Sequence, residues 1–187
     1  MGNWDTSTNE RFIYVAFSMI LLRPATIDDH SQIAALDRDI FGGYGADESP
    51  QVIQARLETF PAGCFVLEEQ SMDAGELRIV GYLTAEKWAS IREPALNENP
   101  KATHDPAGHV LCITTLAIAD THQNQGLGKR LIDKAMVTAR NENCREIILE
   151  TAHAPRFYKK HGFRCVGHRI QRGIQLYIMH SELESAE

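Results

Sequence analysis

The chain has 187 residues, of which 43% are hydrophobic and 24% charged, with a formal net charge of -6. Such a composition predicts one globular domain that buries roughly 70% of its unfolded surface without staples. The acidic balance argues against a nucleic-acid partner, which needs a basic footprint; Cys64, Cys112, Cys144 and Cys165 form no C-x-x-C pair or zinc spacing, so reduced thiols, no metal and a cytoplasmic location are expected.

Phe12 to Leu22 is apolar apart from Ser18, too short for a bilayer span, and Arg23-Pro24-Ala25-Thr26 follows it without a small-x-small cleavage site. It reads as a buried first strand, and no membrane association is expected. Met1 to Thr6 fits the N-myristoylation pattern only formally. Residues 1–18 are expected to be an extension, and 19–187 a single domain. Ile20 to Arg23 predicts a strand. Asp28 or Asp29 can cap a helix to Phe41 with Ile33, Leu36 and Ile40 on one face. A glycine-rich loop, Phe41 to Asp47, leads to Ser49-Pro50, a cap and first-turn proline opening a helix to Phe60. Cys64 to Glu69 and Leu77 to Glu86 predict a hairpin. Residues 87–108, with Pro94, Pro100 and Pro106, predict a loop with one helical turn.

Val110 to Ala119 is nearly continuous apolar sequence, the mark of a central strand buried on both faces. Leu127, Leu131, Ile132, Ala135, Met136 and Ala139 form the core stripe of a helix from 126 to 141. Glu146 to Glu150 predicts a strand, Pro155 opens a short helix that Gly162 ends, and 163–170 with 174–179 form a hairpin about Gly173. The fold class is α/β, a mixed sheet of six or seven strands flanked by about four helices.

Between the central strand and its helix lies Gln123-Asn124-Gln125-Gly126-Leu127-Gly128-Lys129. A strand-to-helix turn bearing glycines points several N–H groups and a positive dipole end at one spot, which suits a phosphate. A P-loop would need four residues between its glycines and a hydroxyl after the lysine; a dinucleotide turn would need glycine at 131, which is Leu131. Both fail.

Gln123, Gly126 and Gly128 instead match Q/R-x-x-G-x-G/A, and Arg156 to Phe163 (RFYKKHGF) matches an F-Y-x-x-x-G-F element downstream. With Leu22-Arg23-Pro24-Ala25-Thr26 near the start, the chain from about 20 to 180 resembles the GNAT family of acyl-CoA N-acyltransferases. His104-Asp105-Pro106-Ala107-Gly108-His109, ahead of Leu116-Ala117-Ile118, is similar to the arylalkylamine (serotonin) N-acetyltransferase branch. One departure stands out: the two strand histidines of that branch fall on Cys112 and Thr114.

The resemblance implies acetyl-CoA as co-substrate. Backbone groups of Leu116, Ala117 and Ile118 would pair with the pantetheine arm, and Gln123 to Lys129 would cradle the pyrophosphate, with Gly126 and Gly128 permitting close approach. Lys129 and Arg130 add local positive charge. Tyr158 is the expected donor to the departing thiolate. The acceptor is expected to be a small primary amine, arylalkylamine or polyamine-like, attacking directly in a ternary complex; a protein or peptide amine, or a CoA-binding module without turnover, are the alternatives. The protein would be a monomer or homodimer.

A primary alkylamine has a pKa near 10.4, so about one molecule in 10³ is neutral at pH 7 and removing the proton costs roughly 4 kcal/mol. A base is therefore worth having. His109 lies nearest the strand but on the face opposite 110, 112 and 114 unless a bulge intervenes. His104 is an alternative, Thr114 could hold a water, and His153 could be only a cap. Asp47 and Glu48 could attract a cationic amine or form a solvated loop. Cys112 could form an acyl-enzyme, which an apolar strand disfavours.

Overall fold

The computed structural model describes residues 18–71 and 76–183. The expected N-terminal extension and the myristoylation pattern lie outside the described residues, except for Ser18, which opens the first strand. Seven strands form one sheet: β1 (Ser18–Pro24), β2 (Phe65–Ser71), β3 (Leu77–Trp88), β4 (Val110–Ile118), β5 (Glu146–Thr151), β6 (Arg164–Gln171) and β7 (Ile174–Glu182), in the spatial order β1-β2-β3-β4-β5-β7-β6. Every pairing is antiparallel except β4 with β5.

Five helices accompany it among the described residues: α1 (His30–Phe41), α2 (Pro50–Thr59), α3 (Pro100–Thr103), α4 (Leu127–Asn141) and α5 (Pro155–Lys160). The fifth, α3, is the single helical turn expected in the proline-rich loop. The Ser49 side chain caps α2 by accepting from the Val52 N–H, with Pro50 at the first helical position. Asp29 departs from its expected role. Its carboxylate turns back to accept from the Thr26 N–H and the Arg23 guanidinium instead of capping α1.

In α4, Leu131, Ile132, Ala135 and Ala139 are fully buried, as their helical spacing requires. They pack on β3, β4 and β5, and Leu111 and Ile113 of β4 share that core. β3 is buried on both faces from Ile79 to Trp88. Val110 and Cys112 belong to a smaller cluster with Trp88 and Ile148. The β6–β7 turn uses Arg172 and Gly173, both at positive φ (50° and 78°), the backbone of a two-residue hairpin turn.

Candidate active-site cleft

The cleft originates in strand pairing. β4 and β5 are paired only from Val110↔Glu146 to Cys112↔Ile148, although β4 continues to Ile118 and β5 to Thr151. Beyond Cys112 the two strands splay, and the β4 edge that faces β5 has no strand partner there among the described residues. One extra residue sits in β4 at the same place: Thr84 pairs with Thr115 and Ala85 with Ile113, so Thr114 is bulged out of register. A cleft of about 1660 Å³ opens at the splay, lined by β4 from Cys112 to Ile118, by the glycine turn, by residues 149–158 and by the α1–α2 connection. That volume exceeds the ~300–1,000 Å³ of a site for one small ligand, so it has room for two.

The glycine turn forms one end of the cleft. Asn124 and Gly126 have positive φ (61° and 78°), the left-handed backbone from which anion-binding turns of successive N–H groups are built. None of the N–H groups from Asn124 to Lys129 has an acceptor among the described residues; the first bond of α4 is Arg130 N–H to Gly126 O, at 3.3 Å. Side chains brace the turn from behind: Gln123 Nε2 donates to Asp120 Oδ1 (2.8 Å) and Ile118 O (3.3 Å), and Gln125 Nε2 to Thr121 O (3.3 Å). N–H groups without acceptors at the start of a fifteen-residue helix are suited to an anion.

The two glycines serve different needs. Gly126 requires its left-handed backbone, and a Cβ there would meet nothing within 4 Å. A Cβ at Gly128 would lie 3.0 Å from Phe157 Cζ, so beside the close approach expected of it this glycine also makes room for packing against α5. Lys129 is salt-bridged to the exposed Asp133 at 2.5 Å, and Arg130 donates to Ile20 O at 3.2 Å. The positive charge expected of Arg130 is therefore directed at β1 rather than into the turn.

Tyr158 on α5 lines the cleft and is 6% exposed. Its ring meets Phe157 (centroids 5.1 Å apart) and Phe163 (5.7 Å) edge-on. Burial pushes its ionisation well above the ordinary tyrosine range, so the hydroxyl stays protonated at neutral pH, and no described residue is hydrogen-bonded to it.

The other end of the cleft is rich in carboxylates. Glu48 binds Arg56 bidentately (2.8 and 2.5 Å), and Glu150 binds Arg169 in the same way (2.7 and 2.8 Å). Glu98 takes Arg92 (2.8 and 2.9 Å). Glu86 on β3, 2% exposed, accepts from the Thr103 hydroxyl at 2.7 Å and lies 3.7 Å from Arg56 and 4.0 Å from Arg92. Asp37 on α1, 1% exposed, faces no cation among the described residues: it accepts from the Tyr82 hydroxyl and from the Glu48 N–H (2.6 Å). Burial is the main cause that lifts its pKa to about 6, the Tyr82 and Glu48 hydrogen bonds opposing. Neither Asp37 nor Glu86 was singled out in the sequence. The signal was there: each is a charge set into an apolar pattern, Asp37 beside Leu36 and four residues from Ile33, Glu86 at the end of a buried strand.

The other sequence candidates divide. His109 is exposed, precedes β4 at the end away from the splay, and does not line the cleft; the bulge at Thr114 comes too late to turn it inward. His104 stacks on Phe60 (4.9 Å) and its Nδ1 accepts from the Lys87 N–H at 3.1 Å, outside the cleft. His153 lines the cleft mouth against Tyr44 (5.7 Å). Thr114 lines the cleft, but its hydroxyl is bound to Thr84 Oγ1 (2.8 Å) and Thr84 O (3.1 Å). Glu48 is buried and paired rather than part of a solvated loop. Cys112 is buried, and desolvation, followed by nearby Glu86, holds its thiol well above the ordinary range, so it is not a thiolate. All four cysteines are free. Among the described residues there is no His, Cys, Asp or Glu cluster able to hold a metal and no helix long and apolar enough to cross a membrane.

Residues 30–163 match the acetyltransferase (GNAT) family. Among solved structures, the chain is similar to the loading GNATL domain of CurA from Lyngbya majuscula, with 18% identity over 88% of this chain and 98% of that one (TM-score 0.73). It is also similar to the GphF GNAT-like decarboxylase in complex with isobutyryl-CoA (20% identity, 88% and 100% covered, TM-score 0.71) and to a chain of the NatC complex bound to Gag peptide and CoA (19%, 88% and 99%, TM-score 0.68). At such identities the likeness is one of fold.

Proposed function

With the chain belonging to the acetyltransferase (GNAT) family, its acyl donor is acetyl-CoA, and we propose that it acetylates the nitrogen of a small primary amine, arylalkylamine or polyamine-like, by direct attack while both substrates are bound. The observation that carries this reading is convergence. The N–H array of Asn124 to Lys129, the unpaired β4 edge at Leu116 to Ile118 and the Tyr158 hydroxyl all border one cleft. The array would take the pyrophosphate. The β4 edge would take the pantetheine amides as an added strand takes its neighbour. The neutral Tyr158 hydroxyl would donate to the sulfur as the thiolate leaves. A protonated Cys112 disfavours a cysteine acyl-enzyme.

The acceptor end supports a small cationic amine. Once its ion pairs are counted, Asp37 remains without a guanidinium among the described residues, while Glu86 shares Arg56 and Arg92 at 3.7 and 4.0 Å. An apolar side pocket of about 190 Å³, lined by Trp88, Cys112, Ile148 and Ile178, adjoins the cleft and suits an aryl or alkyl group. Arg172 of the β6–β7 turn donates to Gly45 O of the α1–α2 connection, joining two segments that line the cleft. The test is acetyl-CoA turnover with 2-phenylethylamine, spermidine and a lysine-containing peptide. Turnover with one of the first two is expected. Turnover of the peptide alone would overturn the small-amine assignment, and CoA binding without any turnover would leave a binding module.

A further inference from the structure

Resting on that reading, we propose that Asp37 is the general base that takes the proton from the acceptor ammonium, in the place that strand histidines do not fill. The argument begins with the carboxylates of the cleft. Glu48, Glu98 and Glu150 each sit in a bidentate grip from an arginine, which engages both oxygens of the carboxylate in charge-assisted hydrogen bonds. Glu86 faces two guanidiniums. Asp39 and Asp120 line the cleft but are exposed. Among the described residues that line the cleft, Asp37 alone is both buried in the wall and free of a cationic partner.

Its surroundings fix it without neutralising it. From β3, the Tyr82 hydroxyl donates to Oδ1; from the α1–α2 connection, the Glu48 N–H donates to Oδ2. An ionised carboxylate has about four lone-pair sites, so each oxygen keeps one for a proton. The charged groups that act on it are Asp47 and Glu48, both of which favour the protonated form, and Arg56 of α2 is held away by Glu48. A base poised near the working pH both exists in its basic form and holds the proton it takes.

The step balances as follows. The ammonium N–H bond breaks, its electron pair stays on nitrogen, and the proton becomes the Asp37 O–H. The nitrogen pair forms the C–N bond to the thioester carbonyl carbon. The C–S bond then breaks with its pair on sulfur, and the second proton shed by nitrogen reaches sulfur by way of the Tyr158 hydroxyl. Asp37 returns its proton to solvent, so one proton is released per acetyl group transferred.

The experiment is the pH profile of kcat/KM for wild type, Asp37→Asn and Tyr82→Phe, with whichever of 2-phenylethylamine and spermidine the wild type acetylates. Wild-type activity should rise with pH through an acid limb near 6. Asp37→Asn should lose about 10²–10⁴-fold at pH 7. That loss should shrink as pH approaches the amine's own pKa, because the solution then supplies neutral amine; a merely structural lesion would not recover. Tyr82→Phe, which removes one donor to the carboxylate and leaves its surroundings apolar, should move the acid limb upward. An Asp37→Asn loss constant at every pH, or an acid limb unmoved in Tyr82→Phe, overturns the assignment. Wild type inactive on both amines overturns the small-amine reading first and this inference with it; an active wild type with an unaltered variant profile overturns this inference alone.

Discussion

At the scale of single residues, the tasks proposed for Tyr158 and Asp37 are complementary because their environments push two acids in useful directions. Burial keeps Tyr158 a neutral donor at the pH where a leaving thiolate needs one, and it keeps Asp37 a stronger base than a solvated aspartate. Tyr158→Phe should therefore lower kcat by about 10²-fold, the low end for loss of a proton donor, while the dissociation constant for CoA stays unchanged; an unaltered kcat removes the hydroxyl from the mechanism. The two residues differ in how legible they were. Tyr158 stands inside a contiguous motif, so letters alone locate it. Asp37 lies on α1, far in sequence from β4, and it becomes a cleft residue only through long-range contact with Tyr82. His109 erred in the opposite sense: closeness in sequence suggested a role that strand direction denies.

At the scale of elements, the turn before α4 and the short helix α5 behave as one unit. The sequence showed two motifs at a suitable distance, and the coordinates supply the contact between them: Gly128 leaves just enough space for the Phe157 ring, which in turn lies edge-on to Tyr158. Gly128→Ala would force that ring to move by a few tenths of an ångström and carry Tyr158 with it. It should lower kcat, and Phe157→Leu in the same chain should recover part of the loss; strictly additive effects would show that the two sites are independent. Gly126→Ala differs in kind. Its Cβ touches nothing, so only the left-handed backbone is penalised, by roughly 1–2 kcal/mol, read as a lowered denaturant midpoint. Periodicity and capping signals were enough to place nearly every element, because β4 and α4 bury their apolar faces as patterned. The Thr114 bulge was not legible, since an inserted strand residue changes hydrogen-bond register without changing composition.

At the scale of the whole molecule, the splay of β4 from β5 sets the proposed donor end against the proposed acceptor end, and buried charge holds the latter in shape. Sequence reading could count strands but not foresee where two parallel neighbours part, which depends on the α4 crossover and on β7 pairing along the full length of β5. It also passed over Arg56, an unremarkable cation on a helix of mixed polarity. In the fold Arg56 is 4% exposed and ties α2 to the α1–α2 connection through Glu48 and to β3 through Glu86. Burial of all three groups has a desolvation cost that the attraction only offsets, so the trio adds little net stability while intact. Removing the cation alone is another matter, because Glu48 then loses both of its guanidinium bonds and Glu86 keeps only the Thr103 hydroxyl and the more distant Arg92 in a dry site. Arg56→Met, which keeps much of the side-chain length, should cost about 3–5 kcal/mol. Adding Glu48→Gln and Glu86→Gln to it should recover much of that loss by discharging the stranded groups. Urea unfolding of the single and triple variants decides the point: a single variant that loses under about 1 kcal/mol would place Arg56 outside the set of contacts that hold the acceptor wall.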